Sequence, residues 1–439
     1  MCGILCSLAD ARLFTLHRHQ EGNLLLNTHI PVHPKIDEME SQALQFLNAC
    51  SNGEGSALNE WKTISGNEFE AATARLTNAQ EILAQAYGLT GWKRLVTVCE
   101  MTDAMWHDDL DTVLVLINKT PSLLNEDARG VKGNWGPPLS YAANVGRDRI
   151  VRALLQQGAK DIQYAFNRAC LQGKLSTAAI LRDAGAQPER GIVMGPCETL
   201  NADGLEYLLS NGAEFVDSDG DQLAPLGLLL QTYCRFPSGK HRCLRLVTAA
   251  GITLPDTPVM ALHAGRIDLL EIHLQNDPQL LFRTFSHSEI YPLELGCAAD
   301  ESLALHGTPL AGSTLLHIAV DYDELEIVRW LLERGASADT PASIDSEGFG
   351  GHTALFCTVV SQPYRVGLRT DDIFVRMLLD AGANPHARAS LRKQLRFVKD
   401  ETLHEYRDVT PVEWGHAFHD QEWVSPAALS LISNAQENA

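Results

Sequence analysis

A Gly-Ala pair that ends a Leu-rich segment recurs along this chain, and no other feature narrows the possible folds as much. The pairs are Gly158-Ala159, Gly185-Ala186, Gly212-Ala213, Gly335-Ala336 and Gly382-Ala383, with Gly251-Ile252 as a variant. The first three are 27 residues apart, and the later steps are 39, 84 and 47. A glycine after an apolar run closes a helix at its C′ position, where a left-handed backbone costs glycine little. Repetition at a spacing of a few tens of residues marks a chain built from small units, none of which buries both of its faces alone.

The residues ahead of the pairs carry a second regularity. Pro138-Leu139-Ser140-Tyr141-Ala142-Ala143 precedes Ile150-Val151-Arg152-Ala153-Leu154-Leu155, and Thr314-Leu315-Leu316-His317-Ile318-Ala319 precedes Ile327-Val328-Arg329-Trp330-Leu331-Leu332. Small residues let a first helix pack closely, and the aliphatic run gives a second helix one apolar face. Thr353-Ala354-Leu355-Phe356, Ala224-Pro225-Leu226 and Thr410-Pro411-Val412 mark further starts.

These motifs resemble the ankyrin-repeat family over about residues 100–432, most closely at 130–160 and 312–338 and least at 256–310. The resemblance implies an all-α solenoid of helix-turn-helix units with short hairpin turns, about nine units long. Residues 76–95, with Tyr87, Trp92 and Leu95, look like a segment that precedes ankyrin repeats in a group of bacterial proteins. The expected layout is a poorly structured leader at 1–34, a helical N-terminal cap at 35–100, the array at 101–432 and a tail at 433–439.

Charge and composition exclude several function classes. With 35 Lys plus Arg against 55 Asp plus Glu, the net charge is −20. Such a body repels nucleic acid and anionic membranes and favours a partner with a basic patch. The longest apolar run, Leu223 to Leu230, is too short to span a bilayer. The ten cysteines form no C-x-x-C pair and sit mostly in apolar stretches, which reads as buried thiols in a reducing, cytoplasmic setting. No basic residue precedes the apolar part of the N-terminus, so the leader is a poor signal peptide.

Function in a repeat array concentrates where the pattern breaks and along the groove of the first helices. Three insertions stand out: an aromatic and basic loop at 233–240, a His- and Glu-rich stretch at 285–312, and a basic stretch at 388–410. The basic run Arg388, Arg392, Lys393, Arg396 and Lys399 could grip a phosphate or an acidic partner, but reads rather as a solvated helix face or as paired with Asp400, Glu401 and Glu405 nearby. Glu401-x-x-His404 and Glu413-x-x-His416 would each put two metal ligands on one helix face. The two further glutamates that a di-iron site needs are not identifiable, so no metal and no cofactor is expected. His317 holds the family's turn-histidine position and is expected to bond turn backbone; Glu413 stands at the equivalent place.

Neither a G-x-S-x-G nor a P-loop pattern occurs. The expected function is therefore that of a monomeric scaffold that binds a protein partner in its groove and at its hairpin tips. Aromatic and arginine anchors dominate such contacts. The candidates are Trp135, Tyr141, Asn144, Arg147, Arg168, Tyr322, Asp323, Phe349, Tyr364, Arg365, Trp414 and His416. Trp135 and Phe349 fall in hairpin regions where a core role is least expected. The alternative is an enzyme or small-ligand binder that gathers His287, Glu289, His306, His404 and His416 into one pocket.

Overall fold

The computed structural model describes residues 26, 29–299, 307–366, 369, 371–396 and 400–438. The chain divides into two compact units, Met1–Gln187 and Pro188–Ala439. His306 and Lys399, together with most of the expected leader, lie outside the described residues.

The first unit opens with α1 (Ile36–Ser51), α2 (Gly55–Ser65), α3 (Leu76–Ala86) and α4 (Trp92–Trp106). Their apolar faces form one cluster that includes Phe46, Trp61, Leu83, Tyr87 and Leu95. Tyr87 donates its hydroxyl proton to Gln42 Oε1 at 2.9 Å. Next come α5 (Leu110–Lys119) and two helix pairs, α6 (Pro138–Val145) with α7 (Asp148–Gln156) and α8 (Ile162–Leu171) with α9 (Leu175–Asp183). First helices touch first helices (α4 with α6, α6 with α8), and second helices touch second helices (α5 with α7, α7 with α9).

The second unit repeats the pairing. Its helices are α10 (Met194–Glu198), α11 (Ala202–Ser210), α12 (Leu223–Gln231), α13 (Pro237–Ala249), α14 (Pro258–His263) and α15 (Ile267–Asn276). The strand β1 (Thr284–Phe285), the single turn α16 (His287–Ile290) and β2 (Ser313–Thr314) lead into α17 (Leu315–Asp321) and α18 (Leu325–Glu333). After α19 (Phe356–Val359), α20 (Gln362–Arg365) and α21 (Ile373–Asp380) comes a hairpin of β3 (Ala389–Gln394) and β4 (Leu403–Val409). The described chain ends with α22 (Pro411–Ala417) and α23 (Pro426–Asn438).

Each Gly-Ala pair closes its helix in one way. Gly158, Gly185, Gly212, Gly335 and Gly382 all have positive φ. The alanine amide that follows donates to a carbonyl five residues back: Ala159 to Leu154, Ala186 to Leu181, Ala213 to Leu208, Ala336 to Leu331 and Ala383 to Leu378. This is the Schellman closure, and all five of those leucines are fully buried. In the four closures with a Leu-Leu pair, the buried leucine is thus the first of the two. Leu155 and Leu332 are only half-buried.

Two of the first helices, α17 and α22, start from reciprocal side-chain caps. Thr314 and His317 form a reciprocal capping box, and Thr410 and Glu413 form the same box at α22. The equivalence of Glu413 to the turn histidine thus has a physical basis, since both side chains bond the cap residue's backbone amide.

Two expectations of an all-helical chain are corrected. The described residues are 56% helix and 5% strand, but the 388–410 insertion contains a β-hairpin. Alternation in β3 buries Ala389, Leu391 and Lys393 and leaves Ser390, Arg392 and Gln394 half-exposed, so the basic run is not a helix face. Because His404 lies on β4, Glu401 and His404 do not share a helix face either. The other correction concerns 233–240, expected as an aromatic and basic loop. Pro237 begins α13 there, and both Arg235 and Lys240 are fully buried.

Candidate functional site

The matched caps and closures place a hairpin turn between β2–α17–α18 and the next first helix. In it, Asp345 Oδ1 accepts the amide protons of Glu347 and Phe349, each at 2.9 Å. Gly350 exchanges two backbone hydrogen bonds with Ser390 of β3, at 2.7 and 3.2 Å. Its φ of 121° suits glycine, and a Cβ there would collide with the Ser343 carbonyl oxygen. Phe349 is held between two guanidinium groups, Arg392 at 4.8 Å and Arg407 at 4.1 Å from the ring centre. Arg392 also bonds Asp345 at 2.8 Å and pairs with Glu347. The β3–β4 hairpin is thereby clamped to the turn.

A cavity of about 210 Å³ lies between them. Its walls include Pro309, Ala311, Ser343 and His352 on the repeat side and Leu391 to Gln394 on the hairpin side. His352 Nε2 lies 3.0 Å from the Pro309 carbonyl oxygen. A carbonyl only accepts, so Nε2 carries the proton and Nδ1 is a bare acceptor. That Nδ1 is buried and has no hydrogen-bond partner among the described residues. Burial, with the neighbouring His317, pushes the His352 pKa down to about 3, so the ring is neutral.

A second polar constellation is buried in the same unit. Arg235 bonds Asp321 through Nη2 to Oδ2 at 2.8 Å and through Nε to the Asp321 carbonyl at 2.9 Å. Lys240 donates to His263 Nδ1 at 2.8 Å and stands 3.9 Å above the Tyr322 ring, with Arg235 at 4.2 Å from the same ring centre. Burial, reinforced by the Arg235 charge, holds the Lys240 ammonium well below its ordinary pKa.

The proposed anchors divide sharply by burial. Trp135, Tyr141, Asn144, Arg168, Tyr322, Phe349 and Trp414 are all buried, which corrects the expectation that these residues are exposed. Trp135 packs on Tyr141, whose hydroxyl donates to the Val32 carbonyl at 2.9 Å. Arg168 Nε donates to Asn144 Oδ1 at 2.8 Å, tying α8 to α6. The Tyr322 hydroxyl donates to the Leu230 carbonyl at 3.0 Å, and Trp414 meets Tyr406 edge-on at 4.6 Å. Asp323, with a left-handed φ of 64°, is paired with Arg369. Arg147 donates to the Met105 and Trp106 carbonyls at the end of α4. Arg365 pairs with Glu422 at 2.9 Å. Tyr364 is half-exposed and His416 is exposed.

Of the side chains in the alternative reading, His287, Glu289 and His404 are engaged elsewhere, His416 is exposed, and His306 lies outside the described residues. His287 bonds the Ala298 carbonyl at 3.0 Å, Glu289 caps α16 with Ser286 and pairs with Arg283, and His404 pairs with Asp400 at 2.9 Å.

In the first unit, His33, Asp103 and His107 bring ligand atoms within 4.8 Å of one another, a group absent from the sequence reading. Asp103 there already pairs with Lys35 and with His33 at 2.9 Å. Another residue missed from sequence is Ile344, 67% exposed in the turn between α18 and α19. Its only signal was a branched apolar residue among Ser, Asp and Glu.

Residues 311–343 match the ankyrin-repeat family model. This segment, from β2 through α18 into the turn, is an ankyrin-repeat element. A search of curated proteins finds no match to the chain. Among the described residues, no helix is long and apolar enough to cross a membrane.

Proposed function

We propose that the chain is a protein-interaction scaffold, an ankyrin solenoid that acts as a monomer and binds a partner through its turn tips and first-helix groove. The observation that carries this reading is the ankyrin element at 311–343, whose family is built for protein contacts. The five identical Schellman closures support extension of the same unit to the other helix pairs. The net charge of −20 favours a partner with a basic surface.

Burial narrows the contact set. Tyr364, Arg365 and His416 of the second unit and Arg147 of the first keep accessible surface, and Ile344 of the second unit is an exposed apolar residue at a turn tip. The buried candidates act by holding the units in shape. The test is affinity capture from native lysate with the full chain as bait, followed by titration of the captured protein. Ile344→Asp and Tyr364→Ala are expected to weaken binding at least tenfold with melting unchanged. Normal binding by both variants excludes this surface.

A further inference from the structure

We infer that the cavity beside β3 is a strand-addition site, in which an uncharged extended segment of a partner protein pairs with the outer edge of β3. This rests on the partner-binding reading and adds to it a second, differently built contact.

Three observations converge on it. The first is the direction of the β3 backbone. Ser390 bonds Gly350 with both its N–H and its C=O, so its polar backbone groups face the turn. Backbone groups alternate sides along a strand. Arg392 and Gln394 therefore face the turn as well, while Leu391 and Lys393 face their partners Tyr406 and His404 on β4. The register irregularity after Ala389 leaves this phase intact, because the extra residue lies on β4 between Tyr406 and Val409. The turn bends away after Gly350 and Phe349, closing on Asp345, so its pairing with β3 stops at one bridge. Among the described residues, no backbone bond from the Arg392 or Gln394 amide to the turn is formed.

The second is the way β3 borders the cavity. Four consecutive residues, Leu391 to Gln394, line it. A strand face shows only every second residue, whereas an edge shows each one in turn. The cavity therefore runs along the open edge and reaches across to Leu403 of β4 at its Gln394 end, and four residues of strand offer roughly 10 Å of that edge. That length, with about 210 Å³ of space, suits an extended segment of three or four residues. Pro309 and Ala311 form the far wall and suit an apolar side chain.

The third is His352, a buried lining residue whose Nδ1 is a bare acceptor with no partner among the described residues. It asks for a donor, which a Ser or Thr hydroxyl or an Asn or Gln amide supplies. A carboxylate offers none, and a Lys or Arg side chain would bring a further cation beside Arg392 and Lys393 of the lining. Affinity from main-chain bonds with side-chain pockets for selectivity is the mode of strand addition.

The probe is a phage-displayed library of random heptapeptides panned against the full chain, with affinities read by fluorescence anisotropy. Enriched peptides are expected to carry an apolar residue next to a hydroxyl or amide side chain. N-methylation of alternate peptide amides should cut affinity at least tenfold in one phase and little in the other. Gln394→Pro removes an outward N–H and the side-chain bond to the Glu401 carbonyl while sparing the backbone bonds to β4, and Ala311→Phe fills the cavity. Each should lower affinity at least tenfold, with melting temperatures held near the parent. On peptide binding, hydrogen exchange at Arg392 and Gln394 should slow.

No enrichment, or peptides that bind Q394P and A311F as tightly as the parent, overturns the inference. So does concentration-dependent dimerisation abolished by Q394P, since the edge would then serve a second copy of the chain. If Ile344→Asp abolishes capture of the native partner while Q394P has no effect on it or on peptides, the scaffold reading stands and strand addition falls. If peptides add to β3 but no native partner depends on Ile344 or Tyr364, strand addition stands and the scaffold surface falls.

Discussion

His317 Nε2 lies 2.9 Å from the carbonyl oxygen of His352, and both rings are fully buried. His317 Nδ1 is bonded to Thr314 at the start of α17, so this one side chain ties its own cap to the next repeat. Burial pushes its pKa down to about 4, and that of His352 down to about 3. The folded state thus holds both rings neutral, whereas the unfolded chain protonates them near the ordinary value of about 6.5. Their contribution to stability is present above about pH 6.5 and is lost as the pH falls toward about 4. Each ring should remove about 1.4 kcal/mol per pH unit over that window. Urea unfolding at pH 7 and pH 5 should show a loss of about 2 kcal/mol per histidine, and His317→Gln should lower the proton uptake by about one. Equal stability of the parent at the two pH values would contradict the neutral-core assignment.

The Schellman closures make a prediction about register. Leu331 accepts the Ala336 amide and is fully buried, whereas Leu332 beside it is half-buried. Leu331→Ala should cost about 2–5 kcal/mol, as for a leucine in a tight core. Leu332→Ala should cost less than about half as much. Denaturant midpoints of the two variants decide it, and the reverse order would move the buried stripe by one residue.

The helix pairs were legible in sequence because a helix end leaves a chemical mark that does not depend on distant residues. Gly335-Ala336 and Thr314-x-x-His317 are such marks, and each forms the closure or cap that it implies. The 388–410 insertion was not legible. Its alternation, Ala389, Leu391 and Lys393 inward against Ser390, Arg392 and Gln394, places a lysine on the buried side and so hides the period of two. Phe349 and Trp135 were misplaced for a related reason. A hairpin turn is exposed as a rule, but here Phe349 is covered by arginines from a hairpin more than forty residues away in sequence. Lys240 and Arg235 looked like a surface loop, because composition alone does not show that Asp321 and His263 come to meet them.

The Arg235–Asp321 pair supplies a third prediction. Both side chains are out of contact with solvent, at 0% and 1% exposure. Removing one charge leaves the other buried without compensation, which costs about 3–5 kcal/mol. Asp321→Asn should therefore be strongly destabilising. Replacing both residues, as Arg235→Met with Asp321→Leu, should cost less than Asp321→Asn alone. A double variant that unfolds at lower urea than the single one would show that the pair's hydrogen bonds to backbone, not its charge balance, hold this region.

Phe349 carries the last prediction, because it is where the ankyrin element and the β-hairpin are locked together. Its ring fills the space between Arg392 and Arg407, and the adjacent Gly350–Ser390 bridge is, among the described residues, the single backbone link from the turn to β3. Phe349→Ala removes a buried aromatic and both cation–π contacts. Truncation of a buried phenylalanine costs about 3–5 kcal/mol, and each cation–π contact at a partly exposed guanidinium adds about 0.5–1 kcal/mol. The loss should be local. Amides of Leu391 and Lys393 should exchange faster while those of Val328 and Leu331 in α18 keep their protection, since the Schellman closure there does not involve the hairpin. Phe349→Leu should recover part of the filling but neither cation–π contact. If α18 and β3 lose protection together in the alanine variant, the hairpin is part of the ankyrin element's own cooperative unit rather than a piece clamped onto it.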